Sequence, residues 1–198
     1  SAGVGYLMEH GAAFLDGNRF DCPGAAAAQI FHSNGRVQRT VFDGHLYVEN
    51  EEAGEEPTTV EGSILLGGVG VKLCTLNLYN TVVTGGGIQA FRSGLVVQGS
   101  ILYGNQCAIT DDEASTSAMY NLFFENTANG CGIGDPVGSS SNIEGDPLFT
   151  DGPGRDFRLQ GESPAIDAGS GADAFADLDG SKNDLGAYGG PFSMAGGW

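Results

Sequence analysis

The chain is poor in positive charge: eight Lys and Arg stand against 25 Asp and Glu, a formal net charge of −17 over 198 residues. A surface this acidic is repelled by phosphate backbones, which excludes nucleic acid as a partner. No apolar run approaches the roughly 20 residues that cross a bilayer as a helix, so no membrane span is expected. Helix signals are nearly absent, and the alanine run at 25–28 is too short to stand as a helix on its own. Cysteine is scarce. Cys22, Cys74, Cys107 and Cys131 form no CxxC and no zinc-ligand spacing, and they leave three disulfide pairings open. Few lysines beside many Asn, Gly and Asp point to an oxidising setting, extracellular or on the cell surface. The chain begins at Ser1 with neither the charged nor the apolar region of a signal peptide. A removed leader, or a place within a longer product, is therefore expected.

Glycine is abundant, at 34 residues, but without the three-residue period of collagen. Hydrophobic residues make up 40% of the chain and fall in short clusters, which argues against disorder. A single turn-rich β domain fits this composition.

A six-residue pattern recurs: small or polar, apolar, apolar, two variable positions, then Asn or Gly. Its copies start at Ala13, Gln29, His45, Ser63, Asn80, Ser100 and Asn121. A further step reaches Asn142, where the pattern breaks at Pro147. The third position is always apolar: Leu15, Phe31, Tyr47, Leu65, Val82, Leu102 and Phe123. That is expected of short strands that each send one side chain into a shared core. Asn or Gly at the sixth position suits a left-handed turn, and stacked asparagines can bond to one another as a ladder. One strand per coil of chain describes a solenoid better than hairpins do. Asn34-Gly35 and Asp43-Gly44 are hairpin signals without a regular interval, and they leave a β-sandwich as the alternative fold. Among the three cysteine pairings, the repeat favours Cys107 with Cys131.

Ser100-Ile-Leu-Tyr-Gly-Asn105 resembles the strand-and-turn unit of the pectate-lyase-like, right-handed parallel β-helix proteins. A second resemblance runs through Asn142-Ile-Glu-Gly-Asp-Pro-Leu-Phe149, Ser163-Pro-Ala-Ile-Asp-Ala-Gly169, Asp177-Leu-Asp-Gly180 and Gly186-Ala-Tyr188. This is similar to the closing segment of secreted bacterial β-helix proteins, although Gly189 stands where that segment usually carries Glu. The resemblance is strong over about residues 95–190 and repeat-level before them. It implies an all-β, right-handed parallel β-helix of about seven or eight coils, exported from a bacterium. Residues 1–146 would form the coils, and 147–198 a capping or side-packing segment of the same domain.

Polysaccharide cleavage is the activity most often linked to that fold. Hydrolysis needs an acid and a carboxylate across the sugar bond, and lyase chemistry needs a base, often with calcium. The best acidic cluster is Asp111-Asp112-Glu113, and Arg92, one coil earlier, is the one candidate base. Solvated acidic surface accounts for the cluster equally simply. The Gly-Asp-Asp, Gly-His-Gly and Arg-Ile-Lys motifs of the fold's hydrolases are missing, and His10, His32 and His45 do not share a repeat position. Tyr103 and Tyr120 could stack on sugars, but both fall in the strand pattern. Calcium is the one cofactor suggested: Asp177, Asp179, Asn183 and Asp184 share a glycine-containing turn of oxygen ligands. A plain Asx-rich turn explains the same residues. The run from Glu49 to Glu56 is read as a solvated loop.

The second repeat position is also apolar in Phe14, Ile30, Leu46, Ile64, Ile101 and Leu122. With position three in the core, position two should form an outer stripe, covered either by the C-terminal segment or by another copy. The N-terminal residues read as strand with no cap. The first functional expectation is therefore a secreted or cell-surface structural β-helix without enzymatic activity, assembling head to tail with other copies. The alternative is an extracellular glycan-binding or glycan-cleaving protein.

Overall fold

A computed structural model describes residues 5–49 and 56–194. Two long strands, β1 (Tyr6–Asp16) and β2 (Arg19–Gln38), open the fold, followed by β3 (Val41–Glu49). Short strands then follow in turn: β4 (Thr58–Glu61), β5 (Ile64–Leu65), β6 (Val69–Lys72), β7 (Thr75–Tyr79), β8 (Val82–Thr84) and β9 (Ile88–Phe91). The series continues with β10 (Gly94–Gln98), β11 (Ile101–Tyr103), β12 (Cys107–Asp112), β13 (Ser115–Met119), β14 (Leu122–Phe124), β15 (Ala128–Cys131) and β16 (Ile143–Glu144). Every third strand stacks in parallel on the one before. The first sheet carries β4, β7, β10 and β13, the second β5, β8, β11, β14 and β16, and the third β6, β9, β12 and β15. Strand β2 runs through all three, pairing with β3 at both its start and its middle and with β4 at its end. This is a parallel β-solenoid of about six turns, fewer than the repeat suggests, and not a sandwich. Among the described residues, the one antiparallel pair is the hairpin β17 (Phe149–Asp151) and β18 (Asp156–Leu159).

The coils hold register because each row of the core repeats one side chain above another. Leu15, Val37, Val60, Leu78 and Val97 stack on the first sheet, and Phe42, Leu65, Val83, Leu102 and Phe123 on the second. Leu46, Val69, Ile88 and Ile109 stack on the third. All of these are buried and belong to one cluster.

The corner between the first and second sheets is built from two residues per coil. Gly17, Arg39, Gly62, Asn80, Gly99 and Tyr120 take positive φ there, a conformation glycine and asparagine adopt most readily. The residues after Arg39, Gly62, Asn80, Gly99 and Tyr120 (Thr40, Ser63, Thr81, Ser100 and Asn121), with Asn142 after the left-handed Ser141, turn inward and are buried. They bond along the solenoid axis. The Asn121 Oδ1 accepts the Ser100 N–H at 2.9 Å, the Asn142 Oδ1 accepts that of Asn121 at 2.9 Å, and the Ser100 Oγ accepts that of Thr81 at 3.1 Å. A second ladder joins Asn105 and Asn126, where the Asn105 N–H and Nδ2 both donate to the Asn126 Oδ1. At this corner the left-handed residue is the one before the asparagine, Gly104 or Glu125. In these two copies the sixth position supplies the ladder and its predecessor the turn, whereas Gly68 and Gly85, sixth in their copies, take the positive φ themselves.

The outer stripe expected at the second repeat position does not exist as one surface. Ile30 and Leu46 point into the core of the third sheet, while Phe31 and Tyr47 face outward and are half-buried. The Gln29 and His45 copies read one residue out of phase with the pleat, because β2 and β3 bend through more than one sheet, whereas in the Ala13 copy Leu15 points inward and Phe14 outward as expected. Phe14 lies on the outer face of the first sheet and is 65% exposed. Ile64, Ile101 and Leu122 do face out from the second sheet, as does Val82, a third-position residue. They are covered by the chain that follows β16. That chain, through residue 194, lies along the second sheet as a strap. It packs Phe157, Ala165, Leu185, Ala187 and Met194 on Val41, Ile64, Val82, Ile101 and Leu122. The strap is pinned by the Gly186 N–H to the Gly99 carbonyl at 2.8 Å, by Asn80 Nδ2 to the Asp184 carbonyl at 2.7 Å, and by the Arg36 guanidinium over the Phe192 ring at 4.8 Å. A parallel sheet is stable with both faces covered, and here the strap covers the outer one.

Candidate functional site

Where the strap's hairpin leaves the solenoid, it does not close fully on the second sheet, and a pocket of about 410 Å³ remains. Its floor is the outer row of the sheet, Val41, Ile64 and Leu66, and its wall is Phe157 and Tyr188. Arg19, Arg155 and Arg158 line the rim. Local structure explains why these three meet. Arg19 starts β2 in register with Val41, so it projects outward over that row. Arg155 takes φ 68° in the hairpin turn, and Arg158 is on β18.

Each guanidinium has its own carboxylate. Arg19 Nε lies 2.7 Å from Asp21, and Arg158 forks onto Asp156 with Nε–Oδ1 at 2.7 Å. Arg155 reaches back across the fold to Asp43 of β3. The hydrogen bonds from Arg158 hold the Asp156 carboxyl below its usual range and raise the guanidinium above its own. Burial pushes the Tyr188 phenol up, and the Asp156 charge adds to that. The pocket thus combines an apolar floor, aromatic walls and a rim of paired, fixed charges. The Arg158 hydrogen bonds favour the charged form of Asp156, so the pair presents donors and acceptors side by side at the rim.

The acids and the base singled out from sequence are engaged elsewhere. Asp111 accepts the Ala114 N–H at 3.0 Å and the Thr116 hydroxyl at 2.6 Å, which closes the turn between β12 and β13. Arg92 pairs with Glu113 at 2.7 Å on the neighbouring coil and lies over the Phe91 ring. Asp112 sits in register with Phe91. Asp111 thus closes a turn within its own coil, while Arg92 and Glu113 link neighbouring coils. Tyr103 stacks on Phe124 at 5.9 Å and meets Phe149 edge-on at 5.8 Å under the strap, and Tyr120 packs against the same cluster.

The proposed calcium ligands also make hydrogen bonds within the protein. Asp177 accepts the N–H groups of Asp184 and Gly190, Asp179 accepts the N–H of Ser181 at 2.9 Å, and Asp184 accepts that of Asp167 at 2.7 Å. Buried Asn183 donates to Asn80 Oδ1 at 3.3 Å. Among the described residues, no group of three His, Cys, Asp or Glu side chains is placed to hold a metal ion. Cys107 and Cys131 form a disulfide joining β12 to β15 across neighbouring coils, and Cys22 and Cys74 are free thiols. The side chains of His10 and His32, and most of the acidic run from Glu49 to Glu56, lie outside the described residues. No described helix is long and apolar enough to cross a membrane.

Sequence reasoning missed Arg19, Arg155, Arg158 and Tyr188 as a group. The local signal was present, since Arg19/Asp21 and Asp156/Arg158 are i, i+2 pairs that share one side of a strand. Their convergence depends on how the strap folds back, which no local spacing encodes. No protein-family model, curated protein or solved structure matches the chain.

Proposed function

We propose that the chain is a secreted or cell-surface β-solenoid that binds a glycan, with the arginine-rimmed pocket as its binding site. The observation that carries this reading is the convergence of Arg19, Arg155 and Arg158, three of only eight Lys and Arg in the chain, over one apolar floor. Each brings a carboxylate, so the rim charges cancel and the pocket is no trap for anions. What the rim offers is donors beside acceptors. An arginine has five N–H donors in a planar fork, more than one carboxylate can take. Neighbouring hydroxyls of a neutral sugar both donate and accept, and match such pairs. The C–H faces of the ring suit the walls of Phe157 and Tyr188.

Titration calorimetry with neutral sugars tests the reading. Binding should weaken about tenfold in Arg158→Ala, the effect of a lost charge-assisted hydrogen bond. A panel of neutral sugars that fails to bind, or binding untouched by Arg158→Ala, would sink the proposal.

A self-assembling structural element is a second reading, and β1 favours it. Its outer edge has no strand partner among the described residues, and Leu7 and Phe14 on it are 52% and 65% exposed. Unpaired edges invite strand addition, and head-to-tail addition builds filaments. Negative-stain electron microscopy decides: regular filaments support assembly, and dispersed single particles overturn it.

A further inference from the structure

We propose that the arginine-rimmed pocket is one subsite of a longer cleft, and that the glycine-lined groove beyond Leu66 takes the next units of a linear, neutral oligosaccharide. This rests on the glycan reading above and adds the length and charge class of the ligand.

A second cavity of about 580 Å³ lies at the corner between the second and third sheets. Leu66 lines both cavities. Asp43 lines the groove and holds Arg155, which lines the pocket, so this ion pair sits at the junction between them. The two spaces are therefore neighbours along one path over the molecule.

The groove exists because the corner is built without side chains. Gly67 packs on Gly44 and Gly86 on Gly67 from coil to coil, and Gly85 lies against the Leu66 carbonyl beside them. A Cβ on Gly67 would lie 2.4 Å from the Gly44 carbonyl carbon, and one on Gly85 would lie 2.3 Å from the Leu66 oxygen. Backbone packs on backbone there, and a trough is left where other corners carry side chains. Ala25 and Pro23 form its far bank.

The polar groups in the trough are few and suit hydroxyls. His45 Nδ1 lies 3.2 Å from the Gly67 carbonyl oxygen. In the neutral ring that nitrogen is the donor, which leaves Nε2 as an acceptor. Asp43 adds a carboxylate. The Asp43 carboxylate repels an anion, and the chain's net charge of −17 opposes one. A neutral chain of sugars can lay one ring on the apolar floor of the pocket and pass the next over the glycine trough, donating to His45 and Asp43.

The test is a chain-length series of gluco-, manno- and xylo-oligosaccharides titrated against the full chain. Affinity should rise by about tenfold from disaccharide to tetrasaccharide as the trough fills. His45→Ala should weaken the tetrasaccharide about three- to tenfold and leave the disaccharide unchanged, whereas Arg158→Ala weakens every length. Amide chemical shifts give a reading that needs no variant: the tetrasaccharide should move Gly44, Gly67 and Gly85, and the disaccharide should not. Affinity that is flat beyond the disaccharide, with those glycine amides still, overturns the extended cleft and leaves the pocket standing. No binding at any length overturns the glycan reading and the cleft together.

Discussion

At the scale of single residues, the buried polar side chains at the corners do more than fill space. Asn121 is wholly buried, yet its amide is fully used: Oδ1 accepts the Ser100 N–H, and Nδ2 donates to the Val97 carbonyl at 2.8 Å and to Asn142 Oδ1 at 3.0 Å. Asn121→Ala would leave a donor and a carbonyl unpaired in the core. An orphaned buried group costs about 1–3 kcal/mol, so the loss should be about 3 kcal/mol in urea denaturation. Asn121→Ser should lose less, because Ser63 and Ser100 fill the equivalent place with a hydroxyl that both accepts and donates. Equal loss in the two variants would mean that volume, and not hydrogen bonding, sets the cost. Asp184 makes the opposite case. Burial raises its pKa, the Asp167 N–H works against that rise, and the charges of Asp177, Asp167 and Asp179 add to it. A carboxyl whose folded pKa lies above the unfolded value of about 3.9 carries a penalty that is fully present above the folded pKa and fades as pH falls towards the unfolded one. Asp184→Asn keeps an acceptor for the Asp167 N–H and removes the charge. It should raise the melting temperature at pH 7, with the advantage vanishing near pH 4. A variant less stable than the parent at pH 7 would show that the carboxylate's hydrogen bond outweighs its burial.

At the scale of elements, the strap and the disulfide hold different parts of the solenoid. Phe157 is buried where the hairpin meets the second sheet, edge-on to Phe149 at 5.0 Å. Phe157→Ala should cost about 3–5 kcal/mol and loosen the hairpin first, seen as faster proteolysis after Arg155 and Arg158 than in the coils. The Cys107–Cys131 bridge closes a loop of sequence separation 24 across the last coils. Reducing it should cost about 3 kcal/mol and speed hydrogen exchange in β12 and β15 before β5 or β8. Uniform acceleration would mean that the solenoid opens as one unit. The coils themselves were legible in sequence wherever a strand sits within a single sheet: from Ser63 onward most copies land in the register that the structure shows. The Asn80 copy is one residue early, because Thr81 and not Asn80 aligns with Ser63 and Ser100. In β2 and β3 the reading slipped by one residue, since a strand that turns from one sheet into the next keeps its pleat but not its face. The apolar outward row was also legible, but what covers it was not. The strap's apolar residues, Phe157, Ala165, Leu185 and Met194, have no period that announces a sheet partner. The candidate pocket was hidden for the same reason: its arginines come from residue 19 and residues 155 and 158, joined only when the strap lies down.

At the scale of the whole molecule, charge and geometry pull against each other. Stacked coils place like positions above one another, so a chain of net charge −17 brings many carboxylates close along its faces. The ion pairs across coils, Arg39–Asp16, Arg36–Glu61 and Arg92–Glu113, offset this only in part, since eight cations face 25 acids. Their guanidinium ends lie in solvent, and surface pairs of that kind contribute between nothing and about 1 kcal/mol each. Self-repulsion among the remaining carboxylates should therefore dominate the response to salt. Raising sodium chloride from about 10 mM to about 150 mM shortens the Debye length from roughly 30 Å to roughly 8 Å. The melting temperature should rise over that range, because repulsion is screened more than the few short pairs are. A fall would mean that the cross-coil pairs outweigh the excess charge. Calcium chloride at matched ionic strength separates screening from coordination. The carboxylates of Asp177, Asp179 and Asp184 are already bonded to backbone amides, which offset part of their charge and weaken their pull on an ion. Calcium should then raise the melting temperature no further than sodium does at the same ionic strength. A further rise that disappears in Asp179→Asn would instead place a cation at that turn.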